Sequence, residues 1–266
     1  MIDADRVVRD MREKSNGVPR ERRRRARAQP PPTGCLRSDV RVSVVIPAIN
    51  EADNLDAVFS RLPPGLFEVI LVDGFSTDGT VERAQELRPD VKIVRQTGWG
   101  KGNALDCGVV AALGDIIVML DADGSTDPAE IPRFVAALLT GADFAKGSRF
   151  LTGGGSEDIT RIRRLGNWAL TRIVNSMWRV QYTDLNYGYN AYWRRCHGDI
   201  RPDLHGFEIE ALINVRAAKL GLNVVEVPSF EKSRRHGASN LHARRDGIRV
   251  LRTILGERIR PSRPTP

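Results

Sequence analysis

Between residues 40 and 141 the chain changes hydrophobic period again and again. A short β-branched run, "VRVSVVIPAINE", is broken by Pro47. "EADNLDAVFSRL" follows, with Leu55, Val58, Phe59 and Leu62 at helical spacing. "FEVILVDG", "DVKIVRQ" and "GDIIVMLDAD" repeat the strand pattern. "STDGTVERAQEL", "GKGNALDCGVVAAL" and "DPAEIPRFVAALLTG" repeat the helical one. Apolar runs of this length suit strands buried on both faces, and short links between alternating elements demand right-handed crossovers. The expectation is an α/β fold: a Rossmann-like, mostly parallel sheet with helices on both faces.

In such sheets ligands bind beyond the carboxyl ends of the strands. Four groups follow the predicted strands: Pro47-Ala48-Ile49-Asn50-Glu51, Asp73-Gly74-Phe75-Ser76, Gly100-Lys101-Gly102 and Asp121-Ala122-Asp123. They should gather on one rim. Carboxylates, a lysine between glycines and helix N-termini suit a nucleotide diphosphate with a divalent cation. Asp121 and Asp123 repel each other unless a positive charge lies between them. On an extended chain, alternation points both the same way, toward a shared hard cation.

Charge divides the chain. Residues 1–39 carry a net +5, residues 40–231 a net −5 and residues 232–266 a net +8. The first segment, with Arg22-Arg23-Arg24-Arg25 and Pro30-Pro31-Pro32, reads as a disordered basic tail. The body at 40–231 reads as one domain, and 232–266 as a basic loop and amphipathic helix. In that helix Ile248, Leu251, Ile254, Leu255 and Ile259 are expected on one face, docked on the domain or lying on an anionic membrane. An acidic body, with no aromatics among the tail arginines, excludes nucleic acid as a partner. No run approaches a membrane span, and the N-terminus lacks the apolar core of a secretion signal. Cys35, Cys107 and Cys196 fit reduced thiols. The expected location is cytoplasmic, with peripheral contact at the inner membrane face. The oligomeric state is not readable.

"VVIPAINE", "VDGFSTDGT", "GKGNAL", "DADG", "KGSRF", "GGGS", "RRLGN", "DLNYGYNAYWR", "GFEIEAL" and "EVPSFEKSRRHGASNL" occur in that order over roughly residues 41–255. As a set they resemble the family-2 glycosyltransferases of the GT-A fold, especially the dolichyl- or polyprenyl-phosphate sugar transferase branch. The resemblance implies inverting transfer of a hexose from a UDP- or GDP-linked donor, with Mg²⁺ or Mn²⁺. Pro47, Ala48 and Glu51 would line the nucleoside pocket, Glu51 on the ribose hydroxyls and Asp73 on the base edge. Lys101 would lie near the nucleotide. Asp121 would touch the nucleotide-sugar at the reacting centre and share the cation, with Asp123 the main ligand. Ser148, Arg149 and Arg164 would face an acceptor phosphate. Asp184 would serve as the base if the acceptor were instead a hydroxyl on a small soluble molecule.

Three departures stand out. Ile49 replaces an aromatic residue, "VDGFS" replaces "VDDGS", and Ser125 stands where a glutamine is frequent. A further cation ligand is then expected, either His236 on a C-terminal loop or another group, with His236 an ordinary loop residue or phosphate contact. "GGGS" lacks P-loop grammar and reads as a mobile acceptor loop. Trp168, Trp178 and Trp193 are expected in packing or in sugar stacking. Most of "GFEIEALINVRAAKLG" should pack, with Glu208 and Glu210 candidates for the cleft. A nucleotide-sugar pyrophosphorylase is disfavoured, because "IPAINEADNL" has no glycine-rich turn.

Overall fold

The computed structural model describes residues 40–201, 203, 206, 208–237 and 243–260. The basic tail at 1–39 with Cys35, the "ASNL" stretch and the last six residues lie outside the described residues. The strands are β1 (Val42–Ala48), β2 (Glu68–Asp73), β3 (Lys92–Arg95), β4 (Ile116–Met119), β5 (Phe144–Ser148), β6 (Gly155–Ser156), β7 (Asn190–Trp193), β8 (Val224–Pro228) and β9 (Phe230–Glu231). The helices are α1 (Leu55–Phe59), α2 (Thr80–Leu87), α3 (Gly100–Ala111), α4 (Ile131–Leu139), α5 (Arg161–Trp178), α6 (His197–Ile200), α7 (Glu208–Lys219) and α8 (Ala243–Ile259).

Seven strands form one sheet in the order β3-β2-β1-β4-β7-β5-β8. Only β7 runs antiparallel to its neighbours. Alternation along β1 feeds two cores. Val44 and Ile46 pack with Leu55, Val58 and Phe134 on one side, while Val45 packs with Leu105, Val109 and Leu212 on the other. This is why the strands read as continuous apolar runs. Gly108 lets α3 lie against the sheet, since a Cβ there would come within 2.3 Å of Val45 Cγ1. In register, Ala48 pairs with Asp73 and Asp73 with Arg95, so the ends of β1, β2 and β3 form one edge.

Three expectations change. α8 buries Asp246, Val250, Ile254 and Glu257, while Ile248, Leu255 and Ile259 are exposed. The inward stripe follows steps of four, four and three, and includes a carboxylate because Arg216 and Lys219 of α7 bind Glu257. Of the apolar stripe read from the sequence, Ile254 is buried, Leu251 half-buried and the other three exposed, so the packed face is turned away from that stripe. β4 stops at Met119 and the chain turns at Ala122-Asp123, with Gly124 at φ +74°. Asp121 and Asp123 do not project from one extended run. "GGGS" is no free loop: Gly155 and Ser156 pair with Phe230 and Glu231 in a second, two-stranded sheet.

Candidate active site

The loops after β1 and β2 are tied together. Asn50 N–H donates to Ser76 Oγ (3.0 Å), Glu51 N–H to Thr80 Oγ1 (2.9 Å) and Ala52 N–H to Asp78 Oδ2 (3.0 Å). These bonds fix Glu51 beside the end of β2. Asp73 is buried there, and its Oδ1 accepts from Ser76 N–H at 3.0 Å. Its Oδ2 is buried without a hydrogen-bond donor, the Arg95 Nε lying 3.5 Å away in a loose ion pair. A buried carboxylate oxygen without a donor is costly and suits a ligand N–H. Pro47 and Ala48 form the end of β1 next to it.

Phe75 follows at φ +67°, a backbone conformation non-glycine residues rarely adopt and one that costs about 1–3 kcal/mol. Its ring lies 5.3 Å from that of Trp99, and the Arg95 guanidinium sits 5.5 Å from the Phe75 ring. Both aromatics are exposed. Sequence reasoning missed this pair. The available signal was that "VDGFS" gains an aromatic where Ile49 loses one, and that Trp99 directly precedes "GKG".

Lys101, in the first turn of α3, reaches Asp121 Oδ1 and Glu210 Oε1, each at 2.6 Å. Burial pulls the lysine's pKa down, but the two carboxylates outweigh it and hold the pKa above the usual value. Glu210 moves up as well, because burial and repulsion from Asp121 exceed the attraction of Lys101 and Arg149. Gly188 makes room, since a Cβ there would lie 2.7 Å from Glu210 Oε1 and 3.2 Å from Asp121 Oδ2. Glu210 thus reaches the cleft, as one sequence reading allowed.

Asp123 is held differently. Its Oδ2 accepts from Arg234 Nη2 at 2.9 Å, while Arg234 Nη1 lies 3.4 Å from Glu51 Oε1. Its Oδ1 accepts from Ser125 N–H at 3.0 Å. Burial raises the pKa of Glu51, Asp123 and Asp121 adding their repulsion, while Asn54 and Arg234 oppose it. The segment after β9, which carries Arg234, is anchored by Lys232 N–H to Ser125 O (2.7 Å). His236 N–H donates to Asn54 Oδ1 (3.1 Å). His236 is exposed and docks through its backbone, so Arg234 is the loop's contribution to the carboxylate cluster.

The expected acceptor residues gather beyond β5. Arg149 is buried and fully engaged. Nε and Nη2 bind Asp184 at 2.7 and 3.0 Å, Nη1 binds Glu231 at 3.1 Å, and Nη2 also reaches Asn186 O at 3.1 Å. Burial would raise the pKa of Asp184, but the Arg149 charge and hydrogen bonds outweigh it and hold the pKa below the usual value. A buried carboxylate in a bidentate arginine pair is a weak proton acceptor; here it positions the arginine. Ser148 is buried and bonds Thr183 (2.5 Å). Arg164 is exposed, its guanidinium 5.6 Å from the Phe150 ring, with that of Arg149 5.7 Å from the same ring.

No group of three or more His, Cys, Asp or Glu residues poised for a metal exists among the described residues. Asp121 and Asp123 with substrate oxygens nevertheless fit the way a hard cation binds at phosphate sites, through one or two carboxylates. The observation behind the fit is that basic groups, Lys101 and Arg234, already neutralise these carboxylates in the free protein.

The glycosyl transferase family 2 model matches residues 43–199. The chain belongs to that family. It is 35% identical over 219 residues to dolichol-phosphate mannosyltransferase of Pyrococcus furiosus, a match covering 76% of this chain but only 59% of that protein. Against undecaprenyl-phosphate mannosyltransferase of Micrococcus luteus it is 34% identical over 217 residues, covering 76% of this chain and 88% of the relative. Among solved structures, glucosyl-3-phosphoglycerate synthase of Mycobacterium tuberculosis, in complex with Mn²⁺, UDP-glucose and phosphoglyceric acid, superposes with a TM-score of 0.67 at 27% identity. That match covers 84% of this chain and 81% of the other. The family-2 chain described here therefore has the GT-A fold expected from its motifs.

Proposed function

We propose that the chain transfers a hexose, with inversion, from a UDP- or GDP-linked donor to a polyprenyl phosphate. The observation that carries the donor half is the rim itself. Asp73 offers an unmatched buried acceptor to a base N–H, and Glu51, Asp121 and Asp123 converge beside it with Lys101 and Arg234 between them. Glu51 accepts from ribose hydroxyls, and Phe75 and Trp99 supply the flat surface that Ile49 does not. Asp123 and Asp121 would hold a Mg²⁺ or Mn²⁺ ion, which would supply positive charge to a diphosphate leaving group. Lys101 adds charge on the same side. Glu210 holds Lys101 in place.

The acceptor half rests on the relatives, whose names specify dolichol phosphate and undecaprenyl phosphate, and on the state of Asp184. A phosphate oxygen is already an anion and attacks without a base, whereas a hydroxyl needs one. Asp184, committed to Arg149, is poorly placed for that work and well placed to orient arginine toward a phosphate. The exposed Arg164 faces the phosphate, and the buried Arg149, held by Asp184 and Glu231, adds fixed positive charge near the same Phe150 ring, with Ser148 next to it in β5. Among the described residues no helix is long and apolar enough to cross a membrane.

The test is a donor-hydrolysis screen over UDP- and GDP-sugars with and without Mn²⁺ or Mg²⁺. Transfer assays follow, to polyprenyl phosphate in detergent and to 3-phosphoglycerate, the latter because a structural neighbour binds phosphoglyceric acid. Metal-dependent transfer to polyprenyl phosphate is expected. Efficient use of the water-soluble phosphate with the lipid ignored overturns the acceptor reading.

A further inference from the structure

We propose that the first half of α5 is a seat for an anionic lipid surface. Three large apolar side chains stand out of this helix at a spacing of three. Ile162, Leu165 and Trp168 are 73%, 66% and 57% exposed. The helix has a core side already, with Asn167, Thr171 and Val174 buried, so the three are not fillers of its packing. Residues three apart share a side of a helix, and an exposed apolar ridge of this size marks a contact surface.

The charges say what covers it. From residue 159 to 183 the chain has five arginines and no aspartate or glutamate. Arg161, Arg164 and Arg172 are exposed beside the ridge, and the Arg172 guanidinium lies 5.6 Å from the Trp168 ring. Arginine and tryptophan together at an apolar edge are the pattern of a helix lying in a lipid headgroup layer, with apolar side chains in the acyl boundary and cations on anionic headgroups. A second copy of the chain is the poorer occupant. A twofold contact presents the same patch to itself, and these arginines would face each other with few acids to answer them, Asp158 before the helix being already paired with Arg163.

The position of the ridge gives it a use. Arg164 is in the same helical turn as Leu165 and sits on Phe150, whose other neighbour is Arg149. A phosphate with a lipid tail, arriving from the surface that α5 touches, reaches the exposed Arg164 first. This use rests on the lipid-phosphate reading above; the surface contact rests on the ridge alone.

The experiment is co-sedimentation of the full chain with phosphatidylglycerol–phosphatidylcholine vesicles and with phosphatidylcholine vesicles. Brominated lipids quench any tryptophan that enters the bilayer. Wild type should bind the anionic vesicles, release them in high salt and be quenched, and the quenching should vanish in Trp168→Phe. Ile162→Gln with Leu165→Gln, both at exposed positions, should weaken vesicle binding at least tenfold. That variant should also slow transfer to vesicle-embedded polyprenyl phosphate, with donor hydrolysis unchanged. Equal vesicle binding by wild type and the double variant, or absence of Trp168-dependent quenching, overturns the proposal. So does a wild-type dimer that the double variant dissociates while vesicle binding persists. If the ridge binds vesicles but only a water-soluble phosphate is glycosylated, the seat stands and the acceptor reading falls.

Discussion

The two halves of the site use the same chemistry at different depths. On the donor rim, Arg234 and Asp123 are paired with side chains 30% and 15% exposed. On the acceptor side, Arg149 and Asp184 are paired at 4% and 0%. The shallow pair costs little to break, because water replaces each partner. The deep pair cannot be broken without leaving a charge in a poorly solvated place. On the proposed function, a donor with its cation displaces Arg234 from Asp123 while Glu210 keeps Lys101 in place, so an exchangeable pair belongs at Asp123. On the same reading the acceptor side presents a fixed cation, so a locked pair belongs there.

The largest effect should come from breaking the locked pair. Asp184→Asn leaves Arg149 buried with a reduced partner set and should cost about 3–5 kcal/mol of stability by denaturant titration. The pH dependence has a definite sign. The folded pKa of Asp184 lies below its unfolded value, so its contribution is fully present above the unfolded value of about 3.9 and is lost as pH falls through the folded one. The stability gap between wild type and Asp184→Asn should be constant above about pH 5 and shrink below about pH 4. A gap under about 1 kcal/mol at neutral pH would make the deep pair no stronger than the shallow one.

Next in size is loss of the donor carboxylates. Asp123→Ala should lower metal-dependent transfer about 10²–10³-fold, the loss typical when a group stabilising developing charge is removed. It should leave the melting temperature within a few degrees, because its partner Arg234 is half-buried and can hydrate. A variant that unfolds instead would place Asp123 among the locked pairs. Chelator should reduce wild type to the level of this variant.

A smaller effect is expected at the base edge. Asp73→Asn keeps the shape but replaces a carboxylate oxygen, and should weaken nucleotide binding by about 1–3 kcal/mol in calorimetry. Trp99→Ala should cost a similar or smaller amount, since stacking on an aromatic contributes about 1–3 kcal/mol per base. If neither change alters nucleotide affinity, the open acceptor oxygen on Asp73 serves some other group.

The donor half was the more legible in the sequence, for a physical reason. Its residues follow strands whose apolar runs are unmistakable, so Pro47, Glu51, Asp73, Lys101, Asp121 and Asp123 could be placed on one rim from local pattern alone. Partners were not legible, because they come from far along the chain. Lys101 meets Glu210 across 109 residues and Asp123 meets Arg234 across 111. The acceptor half depends almost wholly on such contacts, and the sequence offered Asp184 as a base without showing the arginine it pairs with. α8 failed for another reason. Its apolar residues suggested one stripe, but α7 offered Arg216 and Lys219, and packing chose the side bearing Glu257. Phe75 and Trp99 lie 24 positions apart in two loops, and only the fold brings their rings together.

The smallest expected effect is the sharpest probe of the contrast between the two pairs. Arg234 holds Asp123 and approaches Glu51, so in the free protein it competes with any divalent cation for Asp123. Removing a competitor strengthens binding of what it competes with. A partly exposed ion pair contributes about 0.2–1 kcal/mol, so Arg234→Ala should tighten Mn²⁺ binding by roughly 1.4- to fivefold in the absence of nucleotide. The same change should lower donor affinity once a diphosphate is present, because the guanidinium then has an anion to bind. The two titrations move in opposite directions only if the pair is exchangeable. If Arg234→Ala instead weakens Mn²⁺ binding without nucleotide, Arg234 is a fixed support of Asp123, and the donor rim is built like the acceptor side.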